Sequence, residues 1–320
     1  MKSVIHSNKM KLALGTVQFG LDYGISNQAG KPSFCEIVSI LNTAYEHGID
    51  TLDTASVYGD SELVLGKMLR GTSTASSTEQ PFNIVTKIPN LSNTTPSKTI
   101  FCTTSISAYF DNSLKHLQTR KIDALMFHNA NDLLTNEGAS YFQQATDLKQ
   151  QGLVKKIGVS VYQPQQLEAI MERFNLDIVQ VPFNYLDQRF SQPAVQENLA
   201  KQHIEVHVRS LFLQGLLLMP LERLNNYFQP YLGKIQRFHT LCKQLKCQPL
   251  TLALALIHSN DFIDKAVVGC CSNEQLIQII SHYQQAKVLV DSLTNETFEQ
   301  LSLLACSDEA LINPSLWPVK

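Results

Sequence analysis

The chain has 320 residues, enough for one large domain or two ordinary ones. Its 44% hydrophobic and 17% charged content describes a soluble globular protein with enough apolar surface for a large core. A formal net charge of −2, a pI near 6.5 and the lack of any basic stripe argue against a nucleic-acid or anionic-membrane partner.

The opening stretch, "MKSVIHSNKMKLALGTVQFG", lacks the long apolar core of a signal peptide. Within it lies the first strand candidate, "KLALGT" (11–16). A helical pattern follows over 33–47, where Ile37, Ile40, Leu41, Ala44 and Tyr45 recur at helical spacing. The second strand is read at "GIDTLDTA" (48–55) and the third at "FNIVTKI" (82–88). The third is flanked by polar stretches, 71–81 and 91–99, that read as loops rather than linkers.

From there the alternation is regular. Helical patterns at 103–117, 138–151, 165–173 and 192–202 interleave with strands "IDALMFHN" (122–129), "VKKIGVS" (154–160), "LDIVQVPFN" (176–184) and "IEVHVRS" (204–210). The longest apolar stretch, 210–221, is broken by Gln214 and Gly215 and is too short to span a bilayer. A longer excursion over 219–233, with Pro220, Pro230 and Gly233, precedes a helix at 235–246 and a strand at "KAVVGC" (265–270). The last clear pattern is 273–284, with Leu276, Ile279, Ile280 and Tyr283 on one face. The tail, 286–320, reads as one further helix and an irregular end.

Eight apolar strands without strict alternation read as parallel strands covered on both faces. Eight β-α units of about 40 residues match a (β/α)8 TIM barrel. This predicts a single α/β barrel domain over 1–320, with its core at about 11–285. A doubly wound sheet would carry GxGxxG after the first strand, and that motif is absent.

Seven scattered cysteines fit reduced thiols in a cytoplasm better than a disulfide framework. None has zinc-ligand spacing, so no metal is expected.

In a TIM barrel the active site is built at the C-terminal ends of the strands. Those positions hold Asp53 after strand two, Lys87 after strand three and His128 after strand four, with Tyr58 in the loop beyond Asp53. Each has an ordinary reading alone: a turn former, a solvated lysine, an interior histidine, a half-buried aromatic. Four such groups at neighbouring strand ends suit carbonyl reduction, which needs a hydride at carbon and a proton at oxygen. A nearby cation, Lys87, would ease proton loss from the Tyr58 phenol. Asp53 would hold Lys87, and His128 would orient the substrate oxygen.

Here the chain resembles the aldo-keto reductase superfamily. The resemblance rests on "GTVQFG" (15–20), "DTASVYGDSELVLG" (53–66), "TK" (86–87), "IDALMFHN" (122–129), "GLVKKIGVS" (152–160), "QVPFN" (180–184), "RSLFLQGLL" (209–217) and "VVGCCSNEQL" (267–276), in family order. It implies Asp53, Tyr58, Lys87 and His128 as the catalytic tetrad, with Tyr58 as general acid/base. It also implies that Ser160, Gln180 and Asn184 hold the nicotinamide amide, with Gly15, Thr16 and Asp53 near its ribose. Val161 stands where many members have Asn, and Arg209 where they have a stacking aromatic. Ser210 would reach the diphosphate.

The resemblance places a phosphate site at Gly269, Ser272 and Gln275, although Ser272 and Gln275 also fit a capping box. NADP-selective members often have Lys and Arg at the positions of Gly269 and Gln275. NADPH is thus the family default, with NADH the alternative. Gln18, Tyr23 and Asn129 are the substrate-side candidates, suited to an aldehyde, ketone or sugar, and the 219–233 and 305–320 segments are expected to shape specificity. Two other functions compete. One is a cofactor-sensing regulatory protein with weak or no turnover. The other is a metal-dependent hydrolase, for which only His128 and Asp53 qualify as ligands.

Overall fold

The computed structural model describes residues 10–72, 81–91 and 105–318, so most of the polar stretches 71–81 and 91–99 lies outside the described residues. Eight strands close into one barrel with every neighbouring pair parallel. They are β1 (Leu12–Gly15), β2 (Thr51–Asp53), β3 (Asn83–Ile88), β4 (Ile122–Phe127), β5 (Val154–Ser160), β6 (Ile178–Pro182), β7 (Glu205–Arg209) and β8 (Lys265–Gly269). Each falls within its sequence-predicted segment. The trimmed ends are residues that leave the ladder to start the loops.

The period-2 geometry of a strand sorts the side chains into two sets. Leu12, Leu14, Leu52, Ile84, Leu125, Phe127, Val159, Val179 and Val208 join the large apolar core under the helices. Val85, Ala124, Met126 and Ile178, of the opposite parity, form a separate cluster. Gly15, Asp53, Lys87, Ser160, Gln180, Arg209 and Gly269 share that inward parity at the last turn of their strands. Register aligns them: Gly15 pairs with Asp53 on one side and Gly269 on the other, and Ser160 pairs with Gln180.

The predicted helices form at Phe34–Glu46, Ile106–Leu117, Gly138–Gln150, Pro164–Met171, Pro193–Lys201, Leu232–Gln244 and Asn273–Ser292. The last runs on past its expected end, so the tail holds short helices at Asn295–Ser302 and Glu309–Ile312. Among the described residues, two helices of eight or more residues lie outside the predicted patterns. Pro249–His258 buries all of Thr251 to Ile257, so it has no polar face to betray its period. Ser61–Thr72 follows the Tyr58 loop directly. Among the described residues no helix is long and apolar enough to cross a membrane.

The 219–233 excursion winds through short 3-10 turns and packs on the tail. Tyr227 donates to the Ala310 carbonyl at 2.8 Å, Tyr231 to Asp308 at 2.7 Å, and Lys234 to the Ala305 carbonyl at 3.0 Å. These two segments therefore bind each other.

Candidate active site

The loop from β2 to the helix Ser61–Thr72 is tied down on all sides. Thr16 donates from its N–H (2.9 Å) and its hydroxyl (3.1 Å) to the Asp53 carbonyl. The Ser61 hydroxyl donates to the Thr16 carbonyl at 2.9 Å and lies 3.0 Å from the Thr54 hydroxyl. Ser56 donates to the Lys87 carbonyl through both its N–H (3.1 Å) and its hydroxyl (2.9 Å). Gly20 packs against the Tyr58 carbonyl so closely that a Cβ there would collide with it. Facing it, Gly59 turns at φ +55°, with its own Cβ position 2.5 Å from the Gly20 carbonyl. Two glycines from different segments thus let the Tyr58 loop close over β1.

The loop sets Tyr58 above β3 and β4. Its ring meets His128 edge to face, with centroids 5.7 Å apart, and its centroid lies 5.3 Å from Lys87 Nζ. Lys87 is fully buried and donates to Asp53 Oδ1 at 2.7 Å and to the Thr54 carbonyl at 2.9 Å. The second Asp53 oxygen, Oδ2, accepts from Gln180 Nε2 at 2.8 Å. The structure brings Asp53, Tyr58, Lys87 and His128 into one cluster at the barrel mouth.

Burial governs the protonation of this cluster. It pulls the Lys87 ammonium below the ordinary lysine range, and Asp53 opposes it. His128 is pushed down to about 3 by burial, with the Lys87 and Arg209 charges adding to the effect, so its imidazole is neutral near pH 7. Tyr58 is raised by burial and then by the Asp53 charge, with Arg209 opposing. The phenol thus holds its proton in the resting site.

Arg209 stacks on Tyr162, with Cζ 4.2 Å from the ring centroid. It donates to the Ser210 hydroxyl and to the Val161 carbonyl, each at 3.3 Å. Ser210 sits at φ +60°, and its carbonyl accepts from Asn184 Nδ2 at 3.1 Å. Asn184 Oδ1 accepts from the N–H groups of Leu186 and Asp187, so its whole carboxamide is engaged in shaping the turn. Tyr162 carried no signal in the sequence, because its partner comes from two strands away.

A cavity of about 330 Å³ opens beside His128, lined by Val57, Asn90, Asn129, Asn131, Tyr162 and Gln166 among others. Of the three substrate-side candidates, Asn129 lines it. Gln18 lies instead against Gly269, where an added Cβ would come within 2.6 Å of its carboxamide. Tyr23 accepts a hydrogen bond from Gln214 at 3.1 Å. No described residue of 219–233 or 305–320 lines this cavity.

The far rim tests the fit of a nicotinamide dinucleotide. Gln18 Oε1 is a buried acceptor without a hydrogen-bond partner, set beside the side-chain-free surface of Gly269. An unpaired acceptor suits a donor group such as a hydroxyl or amide N–H, whereas an anion would be met by the Arg209 guanidinium beside Ser210. At the helix Asn273–Ser292, Ser272 caps Gln275 N at 3.2 Å while Gln275 Oε1 accepts from Cys271 N at 2.7 Å. The Glu36 carboxylate accepts from Asn273 N at 2.5 Å. A carboxylate therefore stands at the end of the helix where an added phosphate would be expected. Among the described residues no group of three or more His, Cys, Asp or Glu is placed to hold a metal.

A sequence model of the Aldo/keto reductase family matches residues 11–296. A protein of Schizosaccharomyces pombe described as a candidate voltage-gated potassium channel subunit beta is 25% identical over 296 residues, covering 82% of this chain and 81% of its own. The fold is shared with solved structures. An aldo-keto reductase from Bacillus halodurans, in its holo form, has a TM-score of 0.69 at 21% identity and covers 93% of each chain. A Pseudomonas aeruginosa protein assigned to the aldo-keto reductases has a TM-score of 0.62 at 23% identity, over 87% of this chain and 91% of its own.

Proposed function

Because this chain belongs to the aldo/keto reductase family, we propose that it reduces an aldehyde or ketone, or oxidises the corresponding alcohol, with Tyr58 as general acid/base. The observation that carries this reading is the cluster itself: a phenol that keeps its proton, with a neutral imidazole against its ring and a buried ion pair below it. NADPH or NADH, when bound, supplies the hydride that no side chain can. Gln18, Ser160, Arg209, Ser210 and Gly269 are the residues that would hold it.

This chain's own groups manage the proton. Tyr58 gives its proton to the carbonyl oxygen as charge develops there. Lys87 faces the Tyr58 ring and stabilises the phenolate left behind. Asp53 keeps that ammonium charged in a dry site, and neutral His128 donates a hydrogen bond to the same substrate oxygen. The carboxamides of Asn90, Asn129, Asn131 and Gln166 place hydrogen-bonding groups on a wall that also carries Val57, Ala130 and Tyr162, which would suit a hydroxylated carbonyl compound such as a sugar. The free thiols of Cys35, Cys242, Cys247, Cys270, Cys271 and Cys306 suit work in a reducing cytoplasm.

A second reading, a nicotinamide-binding regulatory protein with weak or no turnover, draws on the similarity to the candidate channel subunit. Following NAD(P)H absorbance over a panel of aldehydes, ketones and aldoses separates the two. The enzyme reading expects turnover, with kcat in Tyr58→Phe lower by about 10²–10⁴-fold and cofactor binding retained. Tight cofactor binding by the wild type with no turnover supports the regulator instead. Full activity in Tyr58→Phe would falsify the proposed role of the phenol.

A further inference from the structure

Two cysteines that proton transfer leaves unused meet at one helix end. The helix Leu232–Gln244 stops at Leu245, and Lys246 turns the chain left-handed at φ +52°. Lys246 N then donates to the Lys243 carbonyl at 3.2 Å, and Cys247 N to the Cys242 carbonyl at 3.0 Å. This pair of bonds is a Schellman helix ending, which sets the first and last side chains of the turn against each other. Such a contact is commonly apolar. Here the two residues are Cys242 and Cys247, and their thiols lie in hydrogen-bonding contact. We propose that Cys242 and Cys247 form a redox modification site, a dithiol that a peroxide converts to an intrachain disulfide and a thiol reductant restores.

The two thiols differ in a way that assigns their parts. Cys247 is half-buried between exposed Lys246 and Gln248, so a small oxidant reaches it. The hydrogen bond from the Cys242 thiol favours the Cys247 thiolate, the form that reacts. Cys242 is 3% exposed and keeps its proton, because that bond and then burial both hold it. Tyr185 closes the inner side, its ring packed on Phe238 of the same helix with centroids 6.0 Å apart. Its buried hydroxyl has no hydrogen-bond partner among the described residues. Burial raises this phenol, and the nearby Cys247 and Cys242 add to the rise. Cys242 is thus walled off from outside thiols, and Cys247 is the partner within its reach.

The chemistry balances with one peroxide. The Cys247 thiolate attacks the O–O bond of hydrogen peroxide, forming a sulfenic acid and releasing hydroxide. The Cys242 sulfur then attacks the Cys247 sulfur, the S–O bond breaks, and the Cys242 proton leaves with the oxygen as water. Together the thiols lose two electrons and two protons, and the peroxide becomes two waters. Closing the bridge needs little movement, since a backbone hydrogen bond already joins the two residues.

The test exposes the full chain to hydrogen peroxide, blocks the remaining thiols with an alkylating agent under denaturing conditions, and digests it with trypsin. Lys243 and Lys246 lie between the cysteines, so cleavage separates 238–243 from 247–265 unless a disulfide joins them. Mass spectrometry should find the joined pair, two hydrogens lighter than the separate peptides, raised at least about tenfold over untreated protein. Dithiothreitol should abolish it. In Cys247→Ser, Cys242 should stay reduced and take the alkylating agent as in untreated protein. In Cys242→Ser, Cys247 should run on to sulfinic acid, having lost the thiol that resolves it. Cys242→Ala serves where Cys242→Ser fails to fold. Wild-type oxidation that runs to sulfinic acid at Cys247 with Cys242 left free would overturn the proposal. So would a failure of the joined pair to form, or a Cys242 that pairs with another cysteine. The readout involves no turnover, so it stands whether or not the chain reduces carbonyls.

Discussion

Lys87 Nζ donates to Asp53 Oδ1 at 2.7 Å, and neither side chain has more than a trace of solvent contact. In such a place each charge depends on the other. Lys87→Met should therefore cost about 3–5 kcal/mol of stability by stranding the carboxylate. The double variant Lys87→Met/Asp53→Leu should recover part of that loss, because no charge is left unpaired. Urea unfolding of the three proteins checks this, and a double variant as unstable as the summed singles would contradict it.

His128, pushed down to about 3, stays neutral in the native protein through the acid range. The unfolded chain takes up a proton on this residue near pH 6.5. Between these limits the unfolded state holds the extra proton, so stability rises with pH and is lost as pH falls below about 6.5. His128→Asn should show a shallower loss between about pH 6.5 and 4 than wild type. Urea midpoints measured across that window, if parallel for the two proteins, would refute the assignment.

Gly20 supports the Tyr58 loop from beneath. A Cβ at Gly20 would meet the Tyr58 carbonyl, Ser61 N at 2.6 Å and Asp60 N at 2.9 Å, all of them backbone. Gly20→Ala must then displace the loop. Misplacement by about 1 Å can cost about a hundredfold in rate. The expected result is a fall of that order in kcat with cofactor affinity kept. Unchanged kinetics would show that the loop can yield without moving the phenol.

Glu36 and Gln275 already occupy the start of the helix Asn273–Ser292. A carboxylate there repels a further phosphate. Glu36→Gln should raise NADPH affinity relative to NADH by about two- to fivefold, and Gln275→Arg should add to it. Fluorescence titration with each nucleotide measures the ratio. Equal gains for both would sever the link between this helix end and cofactor choice.

The barrel and the cluster at its mouth were legible because two local signals coincided. Uninterrupted apolar runs such as "IDALMF" mark buried parallel strands, and polar groups at their ends stand out against them. Chain order and strand parity then send Asp53, Lys87 and His128 to one rim. The helix Pro249–His258 left no such trace because it is apolar all round. The excursion 219–233 and the tail offered no pattern to show that they cover each other.

What the sequence determined by itself was a set of residues at strand ends, since period and position are local properties of a chain. Its partners were decided by closure of the barrel. Gln180 lies 127 residues from Asp53 and yet donates to it, because β6 comes to stand across the lumen from β2. Arg209 finds Tyr162 for the same reason, and Gly20 meets the Tyr58 loop only once β1 and β2 are paired. Closure also dried the site, and this burial is the chief cause that raises the Tyr58 phenol and pushes His128 down.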